Sequence, residues 1–315
     1  ENYDTGLYMK ILFTGGGGVG NEAIYRFLHK QYDLHFADAD PLTISPVIPA
    51  KYRHAIPMAN DPSFISVINK LCDKLSIDLL VPGVDEELLK ISQLDNIKSL
   101  LPQHKYIETM LDKFQCAKAL EMQGLDYPLT EIASNIDEKS SDIAYPCIVK
   151  PRNGRGSKNV NIIHSYKQLQ AYLTLTGIKS SEVVVQELLV GQEYTVLMSA
   201  DQNMNLKAIV PVKVDMKRGI TIRAQSHIND IVINKCHAVH DAIPAQGCYN
   251  IQLIYTNDGR VVPFEINPRV STTFCLGIAS GIDPISNFLD NQRTDKLLGF
   301  NNVKLQRTWV NNFYD

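Results

Sequence analysis

The stretch between positions 247 and 269 constrains the fold more than any other part of the 315-residue chain. Two apolar runs flank Asp258 and Gly259. This dipeptide is a strong signal for a two-residue hairpin loop, because a type I′ turn needs positive φ at both positions. We therefore expect a β-hairpin whose loop is Asp258-Gly259 and in which Asn257 pairs with Arg260.

This register also predicts which side chains share one face of the hairpin. Gln252 would lie opposite Glu265 and Asn250 opposite Asn267, and opposed residues point to the same side. Because side chains alternate along a strand, Glu265, Asn267 and Arg269 project together. Amide and carboxylate oxygens suit Mg²⁺ when phosphate oxygens complete its shell, so Gln252, Glu265 and Asn267 are candidate ligands of Mg²⁺ or Mn²⁺. Arg269 can hold a carboxylate or phosphate through two N–H groups. An ordinary solvated hairpin face is the alternative.

Strands and helices alternate through the first third of the chain. The sequence predicts a strand at 10–13, a glycine-rich run at 15–20 and a helical pattern from Asn21, and further strand–helix pairs follow. Such alternation predicts a parallel, doubly wound α/β unit, which we place at residues 9–105. Residues 1–8 are expected to be a tail outside it.

The rest of the chain is expected to be α+β, with mostly antiparallel strands towards the end. We place one unit at 106–190 and another at 191–315. The segment TMLDKFQCAKALEMQG predicts a single helix that Gly124 ends.

Composition excludes several classes of partner. The formal net charge is -3 and the pI about 6.3, so there is no overall basic field for nucleic acid or for an anionic membrane. No apolar run approaches the roughly 20 residues that cross a bilayer. The six cysteines are scattered and form no CxxC pair, which is typical of reduced thiols in a cytoplasmic protein.

One motif favours a different class of enzyme. Gly15, Gly17 and Gly20 match the dinucleotide fingerprint GxGxxG, and Asp38 or Asp40 stands where a ribose-binding acid is expected. An NAD-dependent oxidoreductase is therefore an alternative. Tight packing of a strand against a helix would need the same glycines.

The element Glu265-x-Asn267-Pro-Arg269 after a Gln-containing strand resembles the ATP-grasp superfamily. The wider pattern GCYNIQL…PFEINPR is most similar to the carbamoyl phosphate synthase large subunit and its short stand-alone relatives. That subunit holds two such modules, whereas this chain has one. Over about residues 9–290 the resemblance implies an ATP-grasp fold with an N-terminal Rossmann-like domain.

The resemblance also implies contacts to the nucleotide phosphates. In the family a basic residue follows an acidic one before a helix, as in Asp112-Lys113, and a second lysine ends a strand before a mobile glycine-rich loop, as Lys150 does. Both lysines are expected to offset charge on the phosphates. The loop has two glycines and two basic residues, so either a stiffer loop or phosphate binding by basic side chains is expected. Its contacting residues would be Gly154, Arg155, Gly156 and Ser157.

A linker between the two lobes is expected to hold the nucleoside. The resemblance assigns Glu187 and the backbone around Leu188 and Leu189 to the adenine edge, with Gln186 ending the same strand. It assigns Glu193 to the ribose hydroxyls. An exposed turn between strands is the alternative.

Together these expectations describe an ADP-forming carboxylate–amine ligase that uses ATP and Mg²⁺. Lys150 and Arg269 would stabilise charge on the transferred phosphoryl group, and Arg223 is a candidate anchor for the substrate carboxylate. An amine or ammonia would then displace phosphate. Phosphorylation of a small carboxylate such as carbamate, without ligation, is an alternative. Homodimerisation through the N-terminal domain is common in the family.

Overall fold

The computed structural model describes residues 8–138, 141–293 and 296–311. Apart from Tyr8, the expected tail 1–8 lies outside the described residues, as do the last four residues of the expected unit 191–315.

The strands of the first third form one parallel sheet of five strands, in the order β3-β2-β1-β4-β5. Its central strand is buried from Ile11 to Thr14, as expected for a parallel sheet covered on both faces. The predicted doubly wound α/β unit is confirmed. Its elements are β1 Lys10–Thr14, α1 Asn21–Leu28, β2 Asp33–Asp38, β3 Arg53–Ala55, α2 Phe64–Leu75, β4 Leu79–Val81, α3 Asp85–Ile91 and β5 Lys98–Ser99.

The single helix expected across TMLDKFQCAKALEMQG is wrong. The chain forms two helices, α4 His104–Leu111 and α5 Lys113–Met122, which Asp112 separates. Asp112 has an extended backbone, and its Oδ1 accepts hydrogen bonds from the N–H groups of Phe114 and Gln115. A carboxylate that caps a new helix in this way ends the preceding one. Gly124, at φ 66°, follows α5 as the expected stop.

A smaller antiparallel sheet comes next, in the order β6-β9-β7-β8. Helix α6 packs its Leu169 and Tyr172 against this sheet in one hydrophobic cluster with Val149 and Val185. The elements are β6 Thr130–Ile132, β7 Cys147–Pro151, β8 Asn161–Ile163, α6 Tyr166–Thr176 and β9 Val183–Glu187. The glycine-rich loop therefore connects β7 to β8.

The last sheet has six antiparallel strands in the order β14-β13-β10-β11-β12-β15. One face packs against α4, α5 and α7, and the other against α8, α9 and the N-terminal sheet with its helix α1. The elements are β10 Gly191–Ala200, β11 Leu206–Arg218, β12 Ile220–Ser226, α7 Asp230–Ala242, β13 Gly247–Thr256, β14 Val261–Asn267, α8 Phe274–Ala279, α9 Pro284–Leu289 and β15 Lys304–Gln306.

The turn between β13 and β14 differs from the expected one. Thr256 N–H donates to Arg260 O and Gly259 N–H to Thr256 O, so the loop has the three residues 257–259. Only Gly259 in this loop has positive φ, at 88°. A type I′ turn would need a second such residue, so the expected two-residue turn and the Asn257–Arg260 pair are wrong. A type I turn followed by a left-handed glycine fits the observed bonds.

A β-bulge in the same hairpin restores the expected register. Leu253 pairs with Pro263, whereas Gln252 pairs with Glu265, so Phe264 is an extra residue on β14. The longer loop shifts the pairing by one residue in one direction, and the bulge shifts it back. The predicted pairs Gln252–Glu265 and Asn250–Asn267 are therefore confirmed.

All six cysteines are buried and free, as expected for reduced thiols. Among the residues that the structure describes, no helix combines the length and apolar character needed to cross a membrane.

Candidate ATP and metal site

The hairpin of β13 and β14, at one edge of the six-stranded sheet, carries a polar face. Gln252 and Glu265 are half-buried and directly opposed, and Asn267 is 9 % exposed. Asn250 is buried, donates from its amide to Arg269 O at 2.7 Å and accepts from Ser271 Oγ at 3.1 Å. The structure thus brings the three expected metal ligands together, and Asn250 fixes the backbone that follows them.

The two expected phosphate-binding lysines lie close to each other, and Lys150 lies close to the hairpin. Lys150 is 4 % exposed at the end of β7, and its ammonium lies 5.2 Å from the ring centroid of Phe264, the bulge residue. Burial lowers the pKa of Lys150 to about 8, and the Glu265 carboxylate opposes this change. Lys113, the first residue of α5, is also buried, and its Nζ donates to Gly154 O at 2.9 Å. Two buried ammonium groups close to each other form a site that a bound anionic phosphate would stabilise.

The glycine-rich loop contacts the N-terminal unit. Gly154 and Gly156 have φ of 114° and 71°, and a Cβ at either would meet nothing within 4 Å, so the loop stands open. Ser157 in the same loop also has positive φ, 56°. The expected phosphate ligand Arg155 instead pairs with Glu86 in the first turn of α3, with Nε 3.1 Å from Oε2. A bound phosphate would have to compete with this exposed ion pair.

The expected nucleoside-binding linker borders a cavity of about 310 Å³. Leu129, Tyr145, Glu187 and Leu188 are among its lining residues. The Glu187 carboxylate accepts from Leu129 N–H at 3.2 Å, so these two lining residues are bonded to each other. Leu189 follows in the linker towards β10. Gln186 points elsewhere, because its buried side chain donates to Thr130 Oγ1 at 2.8 Å inside the small sheet.

Glu193 lies on the same face as Gln252. Thr195 on β10 opposes Gln252 on β13, so these two side chains share a face. Glu193 lies two residues before Thr195 on the same strand and therefore points to the same face. Its carboxylate forms an ion pair of 2.7 Å with Lys217 near the end of β11. Lys217 also contributes to the lowered pKa of Lys150, which shows that a third ammonium group stands near the two expected ones.

Arg223 lies on β12, which β10 and β11 separate from β13. The pairing of β11 with β12 is irregular on both sides of the Met216–Arg223 pair, so alternation along β12 does not assign Arg223 to either face. Its role as an anchor of the substrate carboxylate stays a prediction.

Sequence reasoning missed one contact of the site. Arg269 Nε donates to Asp85 Oδ1, and the two side chains are 12 % and 11 % exposed. Asp85 begins α3, 184 positions away in the chain. The acidic start of this helix was visible in the sequence, but its partner across the fold was not.

Neighbouring side chains occupy the space around the glycine motif after β1. Asp38 Oδ2 accepts from Gly17 N–H at 2.9 Å, so the expected ribose-binding acid is bound to the loop itself. A Cβ at Gly17 would lie 2.1 Å from Thr43 Oγ1. A pyrophosphate needs these N–H groups free and would meet the Asp38 carboxylate. The glycines therefore serve close packing, and the geometry does not support NAD binding.

A sequence profile of the ATP-grasp domain matches residues 110–273, just over half of the chain. The chain belongs to the ATP-grasp family. The expected family is thus confirmed on its own diagnostic segment, since the match includes both lysines and the hairpin.

Several proteins of known function are similar to this ATP-grasp chain. The formate-dependent phosphoribosylglycinamide formyltransferase of Sulfolobus acidocaldarius is 21 % identical over 292 residues, covering 86 % of this chain and 72 % of that protein. The carbamoyl phosphate synthase large chain of Archaeoglobus fulgidus is 22 % identical over 317 residues, covering 88 % of this chain and 29 % of that protein. This chain thus spans less than a third of the synthase subunit.

Solved structures agree on the fold. The biotin carboxylase domain of the Hydrogenobacter thermophilus 2-oxoglutarate carboxylase, in complex with MgADP and bicarbonate, has a TM-score of 0.68 at 13 % identity. The match covers 93 % of this chain and 72 % of that one. At this identity the likeness establishes the ATP-grasp fold alone.

The donor set of the hairpin fits a metal ion that arrives with a nucleotide. Within the described parts of the chain, no three His, Cys, Asp or Glu side chains come close enough to hold a metal ion by themselves. Gln252, Glu265 and Asn267 offer one carboxylate and two amide oxygens on one face. Mg²⁺ is usually held by one or two carboxylates together with substrate phosphates, which matches this set.

Proposed function

We propose that the protein uses MgATP to activate a substrate carboxylate as an acyl phosphate, which an amine or ammonia then attacks. The observation that supports this most strongly is the hairpin register. It places Gln252, Glu265 and Asn267 on one face, beside the buried Lys150. The nucleotide would lie between the lobe at 106–190 and the lobe at 191–315, the domain boundaries that we propose.

The chain's own residues supply position and charge. A carboxylate oxygen attacks the γ-phosphorus, the bond to ADP breaks, and an acyl phosphate forms. Lys113, Lys150 and Arg269 stabilise the negative charge on the phosphoryl oxygens during this step. The amine nitrogen then attacks the carbonyl carbon, inorganic phosphate leaves with the C–O electron pair, and the nitrogen loses a proton. No covalent bond to the protein is needed.

Gln252, Glu265 and Asn267 would hold Mg²⁺ or Mn²⁺, which would offset the charge on the phosphate oxygens. Glu187 and the backbone of Leu188 and Leu189 would border the adenine, next to the 310 Å³ cavity. Glu193 would bind the ribose after its ion pair with Lys217 breaks. Gly154, Gly156 and Ser157 would cover the phosphates. Gln186 can contribute only through its backbone, because its side chain is bonded to Thr130.

The names of similar proteins suggest the first substrates to test. One relative is formate-dependent and one structural neighbour holds bicarbonate, so formate and bicarbonate are the first carboxylates to test. Phosphorylation of carbamate without ligation stays an alternative reaction. A homodimer and a cytoplasmic location stay predictions.

The test is release of ADP from MgATP in the presence of formate, bicarbonate or pooled carboxylic acids, each with and without pooled amines. We expect ADP release that requires the carboxylate. Glu265→Ala and Asn267→Ala should each abolish turnover and keep the fold, whereas Glu108→Ala, an exposed glutamate on α4, should behave as wild type. Full activity in both site variants would show that the metal assignment is wrong. Dependence on NADH with no ADP release would overturn the proposal.

A further inference from the structure

The side chain of Arg269 is held by the N-terminal unit. Its Nε donates to Asp85 Oδ1, and its Nη1 donates to Val270 O at 3.0 Å. Both partners of the Asp85–Arg269 pair are largely buried, at 11 % and 12 % exposed. A partly buried ion pair is much less screened by water than a surface pair, so it fixes the orientation of both groups.

The backbone of Arg269 is held separately. Asn250, buried on β13, donates to Arg269 O at 2.7 Å, and Ser271 Oγ bonds to the other end of the same amide. Arg269 therefore has a fixed main chain from the hairpin and a fixed side chain from α3. Exposed ion pairs contribute little to stability, so a purely structural surface arginine would not need both restraints.

The bonds determine which edge of the guanidinium stays free. A guanidinium can bind a two-oxygen anion through the edge of Nε and Nη2 or through the edge of Nη1 and Nη2. Asp85 occupies Nε, and Val270 takes one N–H of Nη1. Among the described residues Nη2 has no partner, so Nη1 keeps one free N–H and Nη2 keeps two, whereas the edge of Nε and Nη2 is blocked at Nε.

We propose that Asp85 is a positioning residue, which turns Arg269 so that its Nη1–Nη2 edge receives the two oxygens of the substrate carboxylate. This rests on the proposed carboxylate activation. It also gives the N-terminal unit a part in the reaction, although its glycine motif is closed. The matched residue is Glu86, the next residue of α3, which pairs with Arg155 in the exposed loop and does not touch Arg269.

The kinetic test compares wild type with Asp85→Ala, Asp85→Asn and Glu86→Gln, using MgATP and the carboxylate that gives the most ADP among formate, bicarbonate and the pooled acids. We expect Asp85→Ala to lower kcat/KM for the carboxylate by about 10–100-fold, with KM for ATP within about twofold. Asp85→Asn keeps an acceptor oxygen and should recover most of the loss. Glu86→Gln should stay within about threefold. Wild-type kcat/KM in Asp85→Ala, or an equal rise in KM for ATP, would overturn the proposal.

A second measurement does not depend on turnover. In a ¹H–¹⁵N spectrum of the full chain, the Nε–H resonance that disappears in Arg269→Lys identifies Arg269. We expect it to move in Asp85→Asn and to stay in place in Glu86→Gln. An unmoved resonance in Asp85→Asn refutes the positioning role even if Asp85→Ala does not fold. If wild type releases no ADP with any carboxylate, the proposed function fails, and this spectrum still decides whether Asp85 orients Arg269.

Discussion

We predict that the buried Lys150 lowers the stability of the nucleotide-free protein while it is needed for turnover, and both effects can be measured. Its pKa falls from the ordinary value of 10.5 to about 8 because burial disfavours the ammonium. At about 1.4 kcal/mol per pH unit, the difference of roughly 2.5 corresponds to about 3 kcal/mol of cost for the charged form in the folded protein. Replacing Lys150 by Met keeps an unbranched side chain against Phe264 and removes the charge.

The pH dependence has a definite sign. The unfolded chain binds the Lys150 proton more tightly than the folded chain, so stability rises with pH where that proton is lost. Relative to Lys150→Met, the wild-type protein should be least stable below about pH 8 and should gain stability between about pH 8 and 10.5. Above this range the lysine is neutral in both states and the difference should vanish.

Urea unfolding of the nucleotide-free protein at several pH values tests this. We expect Lys150→Met to be more stable than wild type by up to about 3 kcal/mol at pH 7, with the gain disappearing by about pH 10.5, and to have no ATP turnover. Lys158→Met, which removes an exposed lysine from the glycine-rich loop, is the control and should change stability little. A Lys150→Met protein that is less stable at pH 7, or whose gain does not depend on pH, would refute the reasoning.

Three further changes test other contacts. Asn250→Ala removes the donor to Arg269 O and the acceptor of Ser271 Oγ, although Ser271 keeps its bonds to Thr273. We expect a loss of about 1–3 kcal/mol in urea unfolding and a lower kcat. Gly17→Ala places a Cβ 2.1 Å from Thr43 Oγ1, whose hydroxyl donates to Asp40 O, and should lower the free energy of unfolding by about 1–3 kcal/mol. Gly124→Ala is the comparison variant, because its Cβ meets nothing within 4 Å and only its positive φ causes strain. Arg307 donates to the carbonyls of Val19, Thr221 and Thr272, so Arg307→Ala should lower the melting temperature. Unchanged melting would show that these three bonds contribute nothing.

Local patterns predicted those parts of the fold whose causes are local. The buried run of β1 and the apolar spacing of α2 indicated a strand and a helix that the structure contains. The break at Asp112 was missed because the apolar pattern continues across it, while a capping carboxylate decides where α5 begins. The boundary of the parallel unit at residue 105 stays a prediction, because no contact in the structure tests it.

The site divides in the same way. The face of Gln252, Glu265 and Asn267 followed from alternation within one hairpin, although its turn was wrong. Arg223 was proposed from its residue type alone, and its role stays a prediction because the strand pairing around it is irregular. The Asp85–Arg269 pair joins residues 184 positions apart, and no periodicity in a single sequence relates them.

The loop and the bulge of the hairpin can each change length without moving the site. The loop 257–259 lies between Thr256 and Arg260, so a residue lost there shortens the turn and leaves Gln252 opposite Glu265. Phe264 is the extra residue between Pro263 and Glu265, so its loss also leaves that pair in place. A residue added or lost between Glu265 and Asn267 would instead turn one of these side chains away from the others. In related sequences, gaps should therefore occur separately at the Gly259 turn or at Phe264, and be absent between Glu265 and Asn267.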